Sequence, residues 1–194
     1  TETTWSTSDE CTVLLRDDSL HLLAGTSSSG LLRMDIRNGR SEVLRHRSGD
    51  PRSLSDDRIR ALLRDREGRT WVGTRNGLNL YAPQRWWATS VPLASTDNLA
   101  TSGPFPFSIA EKMNGELDIC TTEGVFRYST NGTMRQVPIA SEREPLRATV
   151  MLEHEPMNFL GAEEGVFRWT ESDSAVAEWP LSVAVPGGNT DHGG

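Results

Sequence analysis

One signature returns four times along this chain, and it limits the fold more than any other feature. The sharpest copy runs from Ile59 to Tyr81. An apolar segment ends in Arg64-Asp65, a turn holds Gly68, and a second segment reads Thr70-Trp71-Val72-Gly73-Thr74. Two residues later a third segment opens with Gly77-Leu78. Looser copies place Gly25-Thr26 before Gly30-Leu31, Cys120-Thr121 before Gly124-Val125, and Gly161-Ala162 before Gly165-Val166. The marker glycines Gly30, Gly77, Gly124 and Gly165 stand 47, 47 and 41 residues apart. Repetition at such a period means that each copy is one supersecondary unit that buries its faces by stacking on its neighbours.

Within a unit the pattern is short strands divided by turns. Asn76-Gly77 suits a tight hairpin, because both residues tolerate the positive φ of a type I′ turn. Hairpin turns are accordingly predicted at 28–30, 75–77, 122–124 and 163–165. Gly73 lies mid-strand, where a missing side chain admits close neighbours. A fourth apolar segment closes each unit, at 42–44, 86–88, 136–139 and 175–179. Helical periodicity is poor throughout. Four strands per 41–47 residues is the period of a β-propeller blade. A β-sandwich, the alternative, would not need the repeated signature. We therefore expect an all-β chain of about four blades of four antiparallel strands, near 10–47, 54–91, 105–140 and 146–181. A ring of six to eight blades needs roughly 270–360 residues at about 45 each. The chain has 194, so residues 1–185 read as a partial arc of a larger ring. Residues 186–194 have the composition of a flexible tail.

The net charge is −7, and no run of about 18 apolar residues occurs, so no membrane-spanning helix is expected in this sequence. Thirteen of its arginines fall between Arg33 and Arg85, among only seven acids. A basic segment can serve nucleic acid. Here the arginines are interleaved with strand residues and acids, as in Arg64-Asp65-Arg66-Glu67, which reads as a solvated face with local ion pairs. No nucleic-acid partner is expected. Cys11 and Cys120 read as two buried thiols rather than a disulfide.

The stretch from Ser53-Leu54-Ser55 through Asp65, Gly68, Trp71-Val72-Gly73-Thr74 and Gly77-Leu78 closely resembles the two-component regulator propeller repeat. The first copy keeps Gly25-Thr26 and Gly30-Leu31 with one extra residue between them. The third and fourth copies lose the Trp. The resemblance is tight over 48–83 and loose over 10–180. It implies the periplasmic or extracytoplasmic sensor region of a membrane-anchored bacterial signalling protein. Further blades and an output domain, a histidine kinase or diguanylate cyclase, would then lie outside this chain. Asp65-x-x-Gly68-x-Thr70-Trp71 is also similar to the Asp-box of sialidase-type propellers, with one residue too many between Asp and Gly.

Catalytic patterns are missing. No nucleophile elbow, phosphate loop or dinucleotide fingerprint occurs. His21, His46, His154 and His192 lack metal-ligand spacing, so neither metal nor other cofactor is expected. Trp71, Trp86, Trp87, Trp169 and Trp179 lie in strand segments and read as packing between blades. In a propeller the turn between second and third strands opens on the same face as the connection between blades. That face would carry Arg75, Asn76, Glu123, Glu163 and Glu164 from the turns, and Asp56 and Asp57 from the connection. These seven are the candidate binding residues for a small polar ligand or a partner protein. The reading is a non-catalytic sensor module. The alternatives are a propeller enzyme, such as a lyase or glycoside hydrolase, and an assembly scaffold.

Overall fold

The computed structural model describes residues 9–85, 87–91, 93, 104–139, 148–152, 158–163, 165–169 and 176–178. They form four antiparallel sheets, each a meander of four strands in chain order. Blade 1 contains β1 (Cys11–Arg16), β2 (His21–Thr26), β3 (Leu31–Asp35) and β4 (Ser41–Leu44). Blade 2 contains β5 (Ile59–Arg64), β6 (Thr70–Thr74), β7 (Gly77–Ala82) and β8 (Trp87–Val91). Blade 3 contains β9 (Pro106–Glu111), β10 (Leu117–Thr121), β11 (Gly124–Tyr128) and β12 (Met134–Gln136). Blade 4 contains β13 (Ala148–Leu152), β14 (Asn158–Ala162), β15 (Gly165–Trp169) and β16 (Val176–Glu178). The helical part of the described residues is one 3-10 turn, Pro83–Arg85. The first strands β1, β5, β9 and β13 neighbour one another in series, so the blades stand around a common axis. Among the described residues no comparable contact joins β13 back to β1. The described residues form a four-bladed arc of a β-propeller.

The repeated signature has a physical reason at each position. Gly77 and Gly124 take φ of 115° and 109°, in the region where a Cβ is strained. The threonine before each turn clamps it in three blades. Thr26, Thr74 and Thr121 donate their hydroxyls to the carbonyls of Gly30, Gly77 and Gly124, at 2.9, 3.1 and 2.8 Å. Ala162 stands at this position in blade 4 and cannot do so. The mid-strand glycine lets adjacent blades approach. A Cβ on Gly25 would meet Ile59 of the next blade at 2.6 Å, and one on Gly73 would meet Ala61 and Pro106, both at 3.0 Å. The acid at the strand end ties the following turn to the core. Asp65 accepts from the Trp71 indole at 2.8 Å and from the Arg69 backbone and Nε at 2.8 and 2.6 Å. Burial alone would raise the Asp65 carboxyl, but these donors outweigh it and hold it below its ordinary value.

Three apolar cores lie between consecutive blades. Leu23, Leu54, Ile59 and Val72 belong to the first, Trp71, Leu78 and Ile119 to the second, Met151, Leu160 and Trp169 to the third. Among the described residues nothing gives the end blades such cover on their outward sides. Leu62 packs in the first core, while Leu14, its equivalent in blade 1, is 62% exposed. Ala61 is buried and Leu63 packs in the second core, yet their equivalents in blade 4, Val150 and Leu152, are 52% and 62% exposed. Both ends thus present apolar surface where a further blade would sit.

Two expectations need correction. Cys11 is exposed, not buried, because it opens the first strand of an uncovered blade; Cys120 is buried, and burial pushes its thiol up to about 12. The fourth segment of blade 3 ends as a strand at Gln136, just before Pro138, which has no N–H to offer a ladder. The tail at 186–194, together with Trp86, His154, Trp179 and His192, lies outside the described residues.

Candidate functional site

The connection from blade 1 to blade 2, residues 45–58, is built as a folded loop, and a cleft of about 360 Å³ opens in it. His46 starts the loop with an isolated bridge to Leu54, and its Nδ1 lies 2.7 Å from the Leu54 carbonyl oxygen. Ser53 fastens the middle: its hydroxyl accepts the Arg47 N–H at 2.9 Å and donates to the Asp50 carbonyl at 2.9 Å. Leu54 drops into the core at 1% exposure. Ser55 is held from below, where its N–H donates to Asn79 Oδ1 at 3.0 Å and its hydroxyl sits 2.7 Å from that of Thr74. The Ser-Leu-Ser lead-in is therefore a fastener: two hydroxyls fix the loop and one leucine plugs the gap between blades. The cleft wall includes His46, Arg47, Asp50, Ser55, Asn76 and Ser90.

The candidate residues divide. Asn76, exposed at the hairpin tip, lines the cleft. Arg75 stands beside it, exposed, with its N–H donating to the Arg58 carbonyl at 2.9 Å. Asp56 turns away to its own loop: it accepts from the Arg58 N–H at 2.8 Å and from the Arg58 guanidinium at 3.0 and 3.1 Å. Burial would raise the Asp56 carboxyl, but Arg58 holds it lowered. Asp57 also serves the loop, accepting the His46 N–H at 2.6 Å. Glu123 and Glu163 are exposed on the turns of blades 3 and 4, away from the cleft. Glu164 lies outside the described residues. His46, Asp50 and the supporting Asn79 escaped the sequence reading. Asn79 carried a signal, as a polar residue inside the apolar run Leu78-Asn79-Leu80. Trp71 and Trp169 are buried at 1% and 2%, as packing residues should be. Trp87 is half-buried and faces a neighbouring groove.

Residues 53–76 match the family model described as Two component regulator propeller. The second blade carries a regulator propeller repeat. The matched span of that repeat begins at the fastening Ser53 and ends at Asn76 on the cleft wall. No curated protein matches this sequence. Among solved structures, the chain is similar to the extracellular domain of BT4673 from B. thetaiotaomicron, described as a one component system. The TM-score is 0.73 at 18% identity, covering 92% of this chain and 23% of that one. It is similar to the extracellular domain of BT3049, described as a hybrid two component system of the same organism. There the TM-score is 0.72 at 18% identity, over 90% of this chain and 25% of that one. Virginiamycin B lyase from Staphylococcus aureus matches with a TM-score of 0.60 at 15% identity, over 89% of this chain and 55% of that one. The chain thus spans about a quarter of the length of the first two, and likeness at such identity establishes the propeller fold. Among the described residues no helix is long and apolar enough to cross a membrane, and no group of three or more His, Cys, Asp or Glu could hold a metal ion.

Proposed function

We propose that this chain is part of the sensor propeller of a bacterial signalling receptor, binding a small polar ligand or a partner protein without chemistry of its own. The observation that carries the reading is a coincidence of position. The regulator propeller repeat, at 53–76, supplies Ser53, Leu54, Ser55 and Asn76 to the cleft. The likeness to extracellular receptor domains supports a periplasmic or extracytoplasmic location, with further blades and an output domain elsewhere in the receptor. A propeller lyase or glycoside hydrolase would need acid and base groups free to reach a substrate. In the cleft, His46 is engaged by the Leu54 carbonyl and Asp50 by the Arg52 N–H.

The test is a thermal-unfolding screen of the chain against polar small molecules, followed by mass analysis of whatever binds. A ligand present at about a hundred times its Kd stabilises by about 2.7 kcal/mol, which raises Tm by roughly 5–10 °C for a chain of this size. We expect such a shift for at least one compound, reduced by Asn76→Ala and Ser90→Ala, with the compound recovered unchanged. A chemically converted compound, or stabilisation indifferent to both substitutions, would contradict the reading.

A further inference from the structure

A second cavity, of about 240 Å³, opens on the outer flank of blades 1 and 2, walled by the outermost strands β4 and β8 and by the connecting loop. Four arginines line it, Arg45, Arg47, Arg52 and Arg85, with one acid, Asp50. That carboxylate already accepts the Arg52 backbone N–H at 2.9 Å. In a chain of net charge −7, such a concentration of positive charge runs against the average. Six of the other nine arginines between Arg33 and Arg85 pair with an acid, Arg66 with Glu111 among them. Arg33 and Arg64 share Asp17, Arg37 pairs with Asp35, Arg58 with Asp56, and Arg69 with Asp65. Among the described residues, the four groove arginines form no ion pair with any carboxylate. Among the described residues the sequence expectation of ion pairs holds for those six and fails for the four groove arginines, as it does for the scattered Arg40, Arg60 and Arg75.

Two of the four are held in place. The Arg52 and Arg85 guanidinium carbons lie 4.9 and 5.1 Å from the centre of the Trp87 ring. Contact with the ring face steadies a guanidinium plane and leaves its N–H edge free. That edge matches two oxygens of a carboxylate, phosphate or sulfate at once. A side chain steadied beforehand also loses less freedom when it binds. The volume lies below the roughly 300–1,000 Å³ of sites for drug-sized ligands, so the occupant is compact.

We propose that this groove binds a small oxyanion bearing at least two negative charges. Arg52 and Arg85 are the main donors, Arg45 and Arg47 complete the positive wall, and Trp87 is a positioning residue. The groove adjoins the cleft and shares Arg47, Asp50 and Ser53 with it, but its main donors Arg52 and Arg85 and the Trp87 ring line the groove alone.

Calorimetric titration of the whole chain with pyrophosphate, sulfate and citrate, each at constant ionic strength, tests it and tells phosphate, sulfate and carboxylate chemistry apart. Saturable binding of at least one probe is expected. Arg52→Ala or Arg85→Ala should weaken it about tenfold, the effect of losing one charge-assisted hydrogen-bond partner. Arg52→Lys should not restore it, because an ammonium lacks the flat fork. Trp87→Ala should weaken binding with no change in charge, and Trp87→Phe should recover most of it. Arg60→Ala, at an exposed position of β5 outside the groove, should leave affinity within about twofold. Urea midpoints identify any variant that fails to fold; the exposed Arg52 and Arg85 carry the test if Trp87→Ala does. Absence of saturable binding up to about 10 mM probe, or equal losses in Arg52→Ala and Arg60→Ala, would overturn the proposal.

Discussion

Arg127→Met is expected to cost about 3–5 kcal/mol, the usual effect of removing one partner from a buried ion pair. Asp118 and Arg127 face each other across β10 and β11. The guanidinium grips both carboxylate oxygens, at 2.6 and 2.7 Å, with side-chain exposures of 4% for Arg127 and 0% for Asp118. Asp118 stands where blade 2 has Trp71, so this pair occupies a position that an indole fills next door. Methionine would keep much of the packing against Trp169, whose ring centre lies 5.9 Å from the Arg127 guanidinium carbon. It would strand the carboxylate in apolar surroundings. Against a typical domain stability of about 5–15 kcal/mol, that loss unfolds a large fraction of a marginal protein. Urea unfolding measures it. The double variant Asp118→Leu with Arg127→Met should be more stable than Arg127→Met alone, because replacing both charges removes the stranded ion. A single-variant loss under about 1 kcal/mol, or a double variant worse than the single, would contradict the pairing.

Gly73→Val should cost about 1–3 kcal/mol through overpacking. Its Cβ would stand 3.0 Å from the Cβ atoms of Ala61 and Pro106. The first belongs to the same blade and the second to the next, so the added methyl groups push blades 2 and 3 apart. Arg75→Ala, two residues on, removes an exposed side chain at a turn and should change stability by less than about 0.5 kcal/mol. Denaturant midpoints of the two variants should therefore separate clearly. Equal destabilisation would mean that the β6–β7 hairpin lies elsewhere.

The blades were legible in the sequence because their constraints are local and repeated. A positive φ at Gly77, a threonine clamp at Thr74 and a close approach at Gly73 each demand one residue type at one spacing. The Asp118–Arg127 pair could also have been read, since the turn before Gly124 sets the two opposite each other. The binding surface was less legible. Asp56 and Asp57 look available in the sequence, but a non-periodic loop of this length folds on its own side chains, and Arg58 and the His46 N–H absorb both carboxylates. Trp71 and Trp87 look alike in their strand contexts, yet one is locked to Asp65 while the other walls a groove. That difference depends on how the connecting loop lies over blade 2, which no periodicity encodes. Glutamates 123 and 163 were placed correctly on turns, but on other blades, away from the cleft that Asn76 reaches.

Sedimentation of the chain over a wide concentration range tests most directly whether it is an open arc. The outward faces of blades 1 and 4 carry Leu14, Val150 and Leu152 at 62%, 52% and 62% exposure, in positions that inner blades cover. Such edges and faces favour association. The wild-type chain should self-associate as concentration rises, and Leu14→Glu with Leu152→Glu should shift it towards monomer without lowering its urea midpoint. A wild-type monomer at every concentration, unfolding cooperatively above about 65 °C and indistinguishable in size from the double variant, would contradict the open arc.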